Sequence, residues 1–278
     1  MSDTNDTKSI RHGLTDKETE LLTNLAKDGK TIFKLEDISR LLRTKYRYAK
    51  VIADRLRKKK WIIQLTRGKY LIVPLTAGIK SEYTEHEFII ASHLAKDYYI
   101  GYWSALNYYG FTEQTPFSVF VVTTSRLKNR KILDVNYKFV TIDKKKFIGI
   151  TNTFINNKSV RISDKSKTIT DALDHPEFCG GISEVAKCLW NARKEISLND
   201  VIKYSKLMKN NSIVKRLGYL VDLLKIEATE KEYSLMKSLV SKGYSPLDPL
   251  SVRKGAHITK WSLLLNISEE HLLDWKRT

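Results

Sequence analysis

Cysteine is nearly absent from this chain, with two thiols, Cys179 and Cys188, in 278 residues. They fall in a largely helical stretch with no second Cys or His pair at metal-ligand spacing, so neither a disulfide scaffold nor a zinc finger is expected, and both read as small buried hydrophobes. No apolar run reaches the roughly 18 residues that a membrane helix needs. The opening residues, Met1-Ser2-Asp3-Thr4-Asn5-Asp6, are polar and partly acidic and lack the charged-then-apolar order of a leader. The expectation is a cytoplasmic protein with no membrane partner. Three glycine-dependent signatures of catalysis are also missing: a phosphate-cradling loop, a Gly-X-Ser-X-Gly elbow, and a Gly-Ser followed by closely spaced aspartates as in nucleotidyltransferases. No cofactor is therefore expected. Acidic residues are scarce, 31 against 49 Lys and Arg, giving a net charge of +18. Such a chain is drawn to polyanions, with nucleic acid the first candidate. Its length exceeds one compact unit, and its 42% hydrophobic content suffices for two cores.

Residues 1–13 are polar and aperiodic and read as a tail. A first domain spans 14–80. Its first helix begins at LTDKE, with Thr15 as N-cap, Glu18 completing a capping box and Leu14 placed as a hydrophobic staple. Leu21, Leu22 and Leu25 form its apolar face, and Asp28-Gly29 ends it. A short second helix, LEDISRLL from Leu35 to Leu42, sets Leu35, Ile38, Leu41 and Leu42 on one side. After the turn Arg43-Thr44-Lys45 a third helix runs from Tyr46 to Lys58. Ala49, Ile52, Ala53 and Leu56 line one face of it, and Arg47, Lys50, Asp54 and Lys58 the other. The period then becomes extended: Trp61–Leu65 and Tyr70–Val73 flank Thr66-Arg67-Gly68-Lys69, a β-hairpin with a basic tip, and Pro74 closes its second strand. Three helices followed by such a hairpin are the order of a winged helix-turn-helix.

Between Arg43 and Lys69 there are eleven basic residues and one acid, Asp54, or 11 − 1 = +10. Six or more phosphate contacts would cost ~10³-fold or more in affinity between low and moderate salt. In the expected docking the start of the third helix enters the major groove. The predicted DNA-binding residues are Arg43, Lys45, Tyr46, Arg47, Tyr48, Lys50, Lys58, Arg67 and Lys69. Arg47 is the direct reader, since a guanidinium bonds a guanine edge with two donors, worth ~1–3 kcal/mol of discrimination. Lys58, Lys59 and Lys60 lie toward the backbone, and Arg67 and Lys69 reach phosphate or the adjacent minor groove. The run at Arg57–Lys60 has a second reading, as a solvated helix end favoured by the dipole. Of Tyr46 and Tyr48, one is expected to pack on the second helix.

A second domain spans 81–278. Helices are predicted at His86–Ala95 and Trp103–Tyr109, and strands at Phe117–Thr123, Tyr137–Ile142, Phe147–Phe154 and Ser159–Ile162. Past Lys165 the pattern is helical almost to the end. The predicted fold is α+β: an N-terminal winged helix-turn-helix and a larger C-terminal domain with a small sheet and a helical C-terminal half. Lys128, Arg130, Lys131, Lys144, Lys145 and Lys146 flank its strands, where they either extend a phosphate track or serve solubility. Asp164, Asp171, Asp174 and His175 lie close in sequence. Asp171 and Asp174 have the i, i+3 spacing of a shared metal site, but no supporting strand motif follows and Asp164 stands at a helix N-cap, so a structural role is preferred over catalysis. Tyr102, Trp103, Tyr108 and Tyr109 read as packing before base stacking, and His86 with His93 lacks a third ligand.

Three stretches carry a family resemblance: WIIQLTRGKYLIVP, YYIGYWSALNYYGFTEQTPFSVFVVTTSR from Tyr98 to Arg126, and VRISDKSKTITDALDHPEFCGG from Val160 to Gly181. In their order and spacing the chain resembles the AbiEi-like antitoxins and transcriptional regulators of type IV toxin-antitoxin systems over nearly its whole length. The resemblance implies a non-enzymatic repressor that binds inverted repeats in double-stranded DNA at its own promoter, with a C-terminal domain opposing a nucleotidyltransferase-like toxin in phage defence. It places DNA contacts at Lys45, Arg47, Lys50, Arg67 and Lys69. Where family members often carry an Arg shortly after the equivalent of Ser163, this chain has Lys165-Ser166-Lys167. Two other readings stand beside it: a DNA-binding regulator whose second domain senses a small molecule, and a nuclease targeted by the winged helix.

Overall fold

The computed structural model describes residues 12–73 and 85–276. Pro74, the expected boundary near residue 80 and most of the N-terminal tail lie outside them. The chain forms two compact units, one running up to Lys96 with Lys131–Asp134, the other made of Asp97–Arg130 and Val135 onward. The division falls at Lys96, so the helix after His86 groups with the first unit.

The first unit runs α1 (Asp16–Lys27), β1 (Ile32–Lys34), α2 (Leu35–Leu41), α3 (Tyr46–Lys58), β2 (Ile62–Thr66), β3 (Lys69–Ile72) and α4 (Glu87–Ser92). The capping box forms as its spacing predicts, with the Thr15 N–H donating to Glu18 Oε2 at 2.8 Å. Leu21 and Leu25 of α1, Ile38 of α2, and Ala49, Ile52, Ala53 and Leu56 of α3 meet Phe33, Ile62 and Tyr70 in one core. β1 is a strand that sequence periodicity does not reveal, being three residues long. It pairs antiparallel with β3, which pairs with β2, in the order β1-β3-β2.

The second unit contains β4 (Tyr98–Ile100), α5 (Tyr102–Tyr108), β5 (Ser118–Thr123), β7 (Val135–Thr141), β8 (Ile150–Ile155) and β9 (Lys158–Ser163), while β6 (Arg130–Ile132) starts at Arg130 and passes into the first unit at Lys131. Then follow α6 (Lys165–Asp174), α7 (Ile182–Ala192), α8 (Leu198–Met208), α9 (Asn211–Leu224) and α10 (Glu230–Ser238). The chain closes on β10 (Ser245–Pro246), β11 (Ala256–Ile258), β12 (Leu263–Leu265) and α11 (Glu269–Leu273). The main sheet has the order β6-β7-β5-β4-β9-β8 and is mixed: β5 runs parallel to β7 and β4 to β9, whereas β4 with β5 and β8 with β9 are antiparallel. α6 is buried at every position from Ser166 to Asp174, which makes it the axis of the core shared by sheet and helices. The expected helical C-terminal half is present from α6 to α10, and the short strands after it were not expected. β10, β12 and β11 form a third small sheet, with strands too short for a period-2 signal.

Candidate nucleic-acid interface

The amphipathicity of α3 decides what the first unit presents. Because Ala49, Ile52, Ala53 and Leu56 are buried, Arg47 and Lys50 are exposed, as are Arg43 and Lys45 just before the helix. The positive end of the helix dipole adds to their field. Arg43 has φ +45, a left-handed conformation at the end of α2, where the Thr44 N–H donates to Ser39 O at 3.0 Å. Glycine is the residue usual in that conformation.

Further along α3 the cations are partly neutralised. Asp54 accepts from Arg57 at 2.8 Å and lies 3.3 Å from Lys58, so Lys58, predicted to face the DNA backbone, is held within its own helix. Lys59 has a different role. Its ammonium donates to Glu18 Oε2 at 2.6 Å, bridging α3 to α1 beneath the surface. Burial pushes the Glu18 carboxyl up, but Lys59 and the Thr15 N–H outweigh it and hold it below the ordinary carboxylate value. Tyr46 and Tyr48 are both exposed, and Tyr48 faces Lys17 of α1 across 5.8 Å, so the expected packing of one of them on the second helix does not occur.

The hairpin has a two-residue connection, Arg67-Gly68, in which Gly68 takes φ +74. Its carbonyl accepts from the Leu35 N–H at 3.1 Å, anchoring the tip to the start of α2. Arg67 is exposed and Lys69 half-buried. In the β1–β3 register Lys34 lies directly opposite Lys69. Like charges across a strand pair destabilise it. Lys34 is a basic residue that sequence reasoning passed over, since only recognition of β1 would have placed it beside the hairpin. Tyr70, raised in pKa by burial, lies within electrostatic reach of Arg57, Tyr46 and Asp54, which sets β3 beside α3. Among the described residues, Arg43, Lys45, Arg47, Lys50, Arg67 and Lys69 have no ion-pair partner.

The basic group predicted in the second unit divides differently. Lys146 donates to the buried Asp174 at 2.8 Å, and Lys131 lies 3.5 Å from Asp134. Lys128, Arg130, Lys144 and Lys145 are exposed. The clustered aspartates are engaged as structural partners. Asp164 caps α6, accepting from the Lys167 N–H at 2.7 Å and the Tyr204 hydroxyl at 2.6 Å. Asp171 receives the Lys167 ammonium and the Tyr99 hydroxyl, the latter at 3.0 Å, and burial raises its carboxyl against the pull of Lys167. Asp174 takes Asn210 as well as Lys146. Among the described residues no three His, Cys, Asp or Glu side chains are grouped to hold a metal. Both thiols are buried, which pushes them well up from their ordinary value. Tyr109 donates to Ser163 O at 2.8 Å and Tyr102 is buried, both acting in packing.

The described residues thus define a mixed α/β protein with small sheets, a helical C-terminal half and, among them, no helix long and apolar enough to cross a membrane. The fold is similar to that in the crystal structure of the RV2827C protein from Mycobacterium tuberculosis, with a TM-score of 0.67 over 98% of each chain at 11% identity. At that identity the likeness extends to the fold alone. No protein-family model and no curated protein matches the chain.

Proposed function

We propose that this protein is a sequence-specific DNA-binding repressor whose first unit acts as a winged helix-turn-helix. In this reading α2 and α3 are the helix-turn-helix, α3 enters the major groove and β2–β3 is the wing. One observation carries it: the cations at the start of α3 and on the hairpin are unpaired, and Lys34 opposes Lys69 across adjacent strands. A surface that keeps repelling charges together with no carboxylate paired to their side chains fits a polyanion. Arg47 and Lys50 stand nearest the bases, while Arg43, Lys45, Arg67, Lys69 and Lys34 contact phosphate.

The wider role, an antitoxin that binds inverted repeats at its own promoter and opposes a nucleotidyltransferase-like toxin without catalysis, is supported by the family resemblance in sequence. The engagement of Asp164, Asp171 and Asp174 by structural partners agrees with a non-enzymatic second unit. Binding to the upstream promoter fragment, followed by fluorescence anisotropy over a salt series, tests the first part. With six phosphate contacts the slope of log K against log salt is about −5. A slope near zero sinks the reading. Co-expression with the toxin of the adjacent reading frame tests the second part, rescue of growth being the expected result.

A further inference from the structure

The two edges of the six-stranded sheet are built differently. At one, β6 is three residues long and presents Arg130 and Lys131, the short, charged form with which proteins blunt an edge. At the other, β8 is six residues long, has neither charge nor proline, and among the described residues pairs with β9 alone. Residues 147–157, FIGITNTFINN, carry no charged side chain in a chain that is 29% charged. Phe154 in this strand is 73% exposed.

The ladder register determines which backbone groups of β8 face outward. The Asp164 N–H donates to Gly149 O at 2.8 Å, making those two residues a hydrogen-bonded pair. Counting by twos from there, Thr151, Thr153 and Ile155 direct their N–H and C=O groups to Ile162, Val160 and Lys158. Ile150, Asn152 and Phe154 therefore direct theirs to the open edge.

We propose that β8 is a self-association edge, through which two copies of this chain pair antiparallel about a two-fold axis at Asn152. A two-fold axis normal to a sheet sets one residue opposite its own copy and equally distant residues opposite each other. With the axis at Asn152, Asn152 meets Asn152, Thr151 meets Thr153 and Ile150 meets Phe154. Thr with Thr, and aromatic with β-branched, are pairings that stabilise antiparallel strands. The hydrogen-bonded positions of the new ladder fall on Ile150, Asn152 and Phe154, whose backbone groups face the edge. Moving the axis to Thr153 instead sets Asn152 against Phe154, and moving it to Thr151 sets Ile150 against Asn152, polar against apolar in both cases. Charge gives an independent reason for this site. Two chains of net charge +18 repel each other, so a contact between copies belongs where the surface is uncharged, and β8 is such a surface. The inference does not depend on the DNA reading, which concerns the first unit.

Sedimentation of the full-length protein over a concentration series tests it. The expected mass rises from 32.2 kDa toward twice that value. Asn152→Lys and Asn152→Asp, each setting like charges across the axis, raise the dimer dissociation constant at least tenfold, and an equimolar mixture of the two restores a dimer. Asn152 is exposed, so thermal melting of both variants should match wild type; if Asn152→Lys fails to fold, Phe154→Lys carries the same test. A wild-type protein that stays at 32.2 kDa at every concentration, an Asn152→Lys variant that dimerises as tightly as wild type, or a mixture that remains monomeric overturns the proposal.

Discussion

Lys59 and Lys69 are both cations of the first unit, and their surroundings assign them different tasks. Lys69 has no carboxylate partner and faces Lys34, so Lys69→Ala is expected to weaken binding to all DNA sequences about equally and to reduce the salt slope by about 1. Arg47→Ala, by contrast, should cost about 1–3 kcal/mol on the preferred site and relax base preference there; equal loss on every sequence would remove Arg47 as a reader. Lys59 is tied to Glu18, so Lys59→Ala acts on stability, by about 1–3 kcal/mol, because it strips a buried carboxylate of its charged donor. Its sequence-based role as a phosphate contact is thereby replaced by a structural one. The pH dependence gives a second readout. The Glu18 carboxyl is lowered in the fold, so its contribution is present above the ordinary carboxylate value and is lost as pH falls through the lower, folded value. Urea titrations from neutral to acid pH should show this loss in wild type and a flatter limb in Lys59→Ala. Arg43 offers a further separation: Arg43→Gly relieves a left-handed conformation by about 1 kcal/mol while removing a cation. Higher melting temperature with weaker DNA binding is the expected pair of results, and unchanged binding would take Arg43 out of the interface.

Elements were legible from sequence wherever a period or a cap extended over several residues. The capping box at Thr15 and Glu18, the apolar face of α3 and the hairpin around Gly68 are local patterns, and each forms where the spacing places it. β1 and the sheet of β10, β12 and β11 were not legible, since strands of two or three residues are defined by their neighbours alone. α6 illustrates the same limit from another side. Its sequence, KSKTITDALD, carries six charges or hydroxyls in its first seven positions, yet it is buried nearly throughout because Lys167, Asp171 and Tyr99 satisfy one another. α9 depends on a close approach: a Cβ on Gly218 would lie 2.3 Å from Cζ3 of the buried Trp261. Gly218→Ala gains about 1 kcal/mol of helix propensity but forces the indole away, so a net loss of about 2 kcal/mol is expected by chemical denaturation. A stabilised variant would show that Trp261 yields easily.

For the whole molecule, the +18 net charge was readable from composition, and with it the attraction to polyanions. Incubation of the protein with plasmid and a divalent metal is expected to leave the plasmid intact; cleavage lost in Asp171→Asn would favour the enzymatic alternative. What the sequence determined by itself is short-range: helix faces, caps, the hairpin turn and the charge imbalance, all set by residues within about one or two turns of each other. Which cations are free was decided only by tertiary structure. Sequence placed Lys59 and Lys146 among the exposed bases, whereas Glu18 and Asp174 claim them. Lys34 joined the hairpin only when β1 paired with β3. Such an ion pair is a meeting of side chains far apart in the chain, 41 residues for Lys59 with Glu18, and no local pattern encodes it. The same holds for β8: its lack of charge is written in the sequence, but that it lies at an edge follows from the order of the six strands.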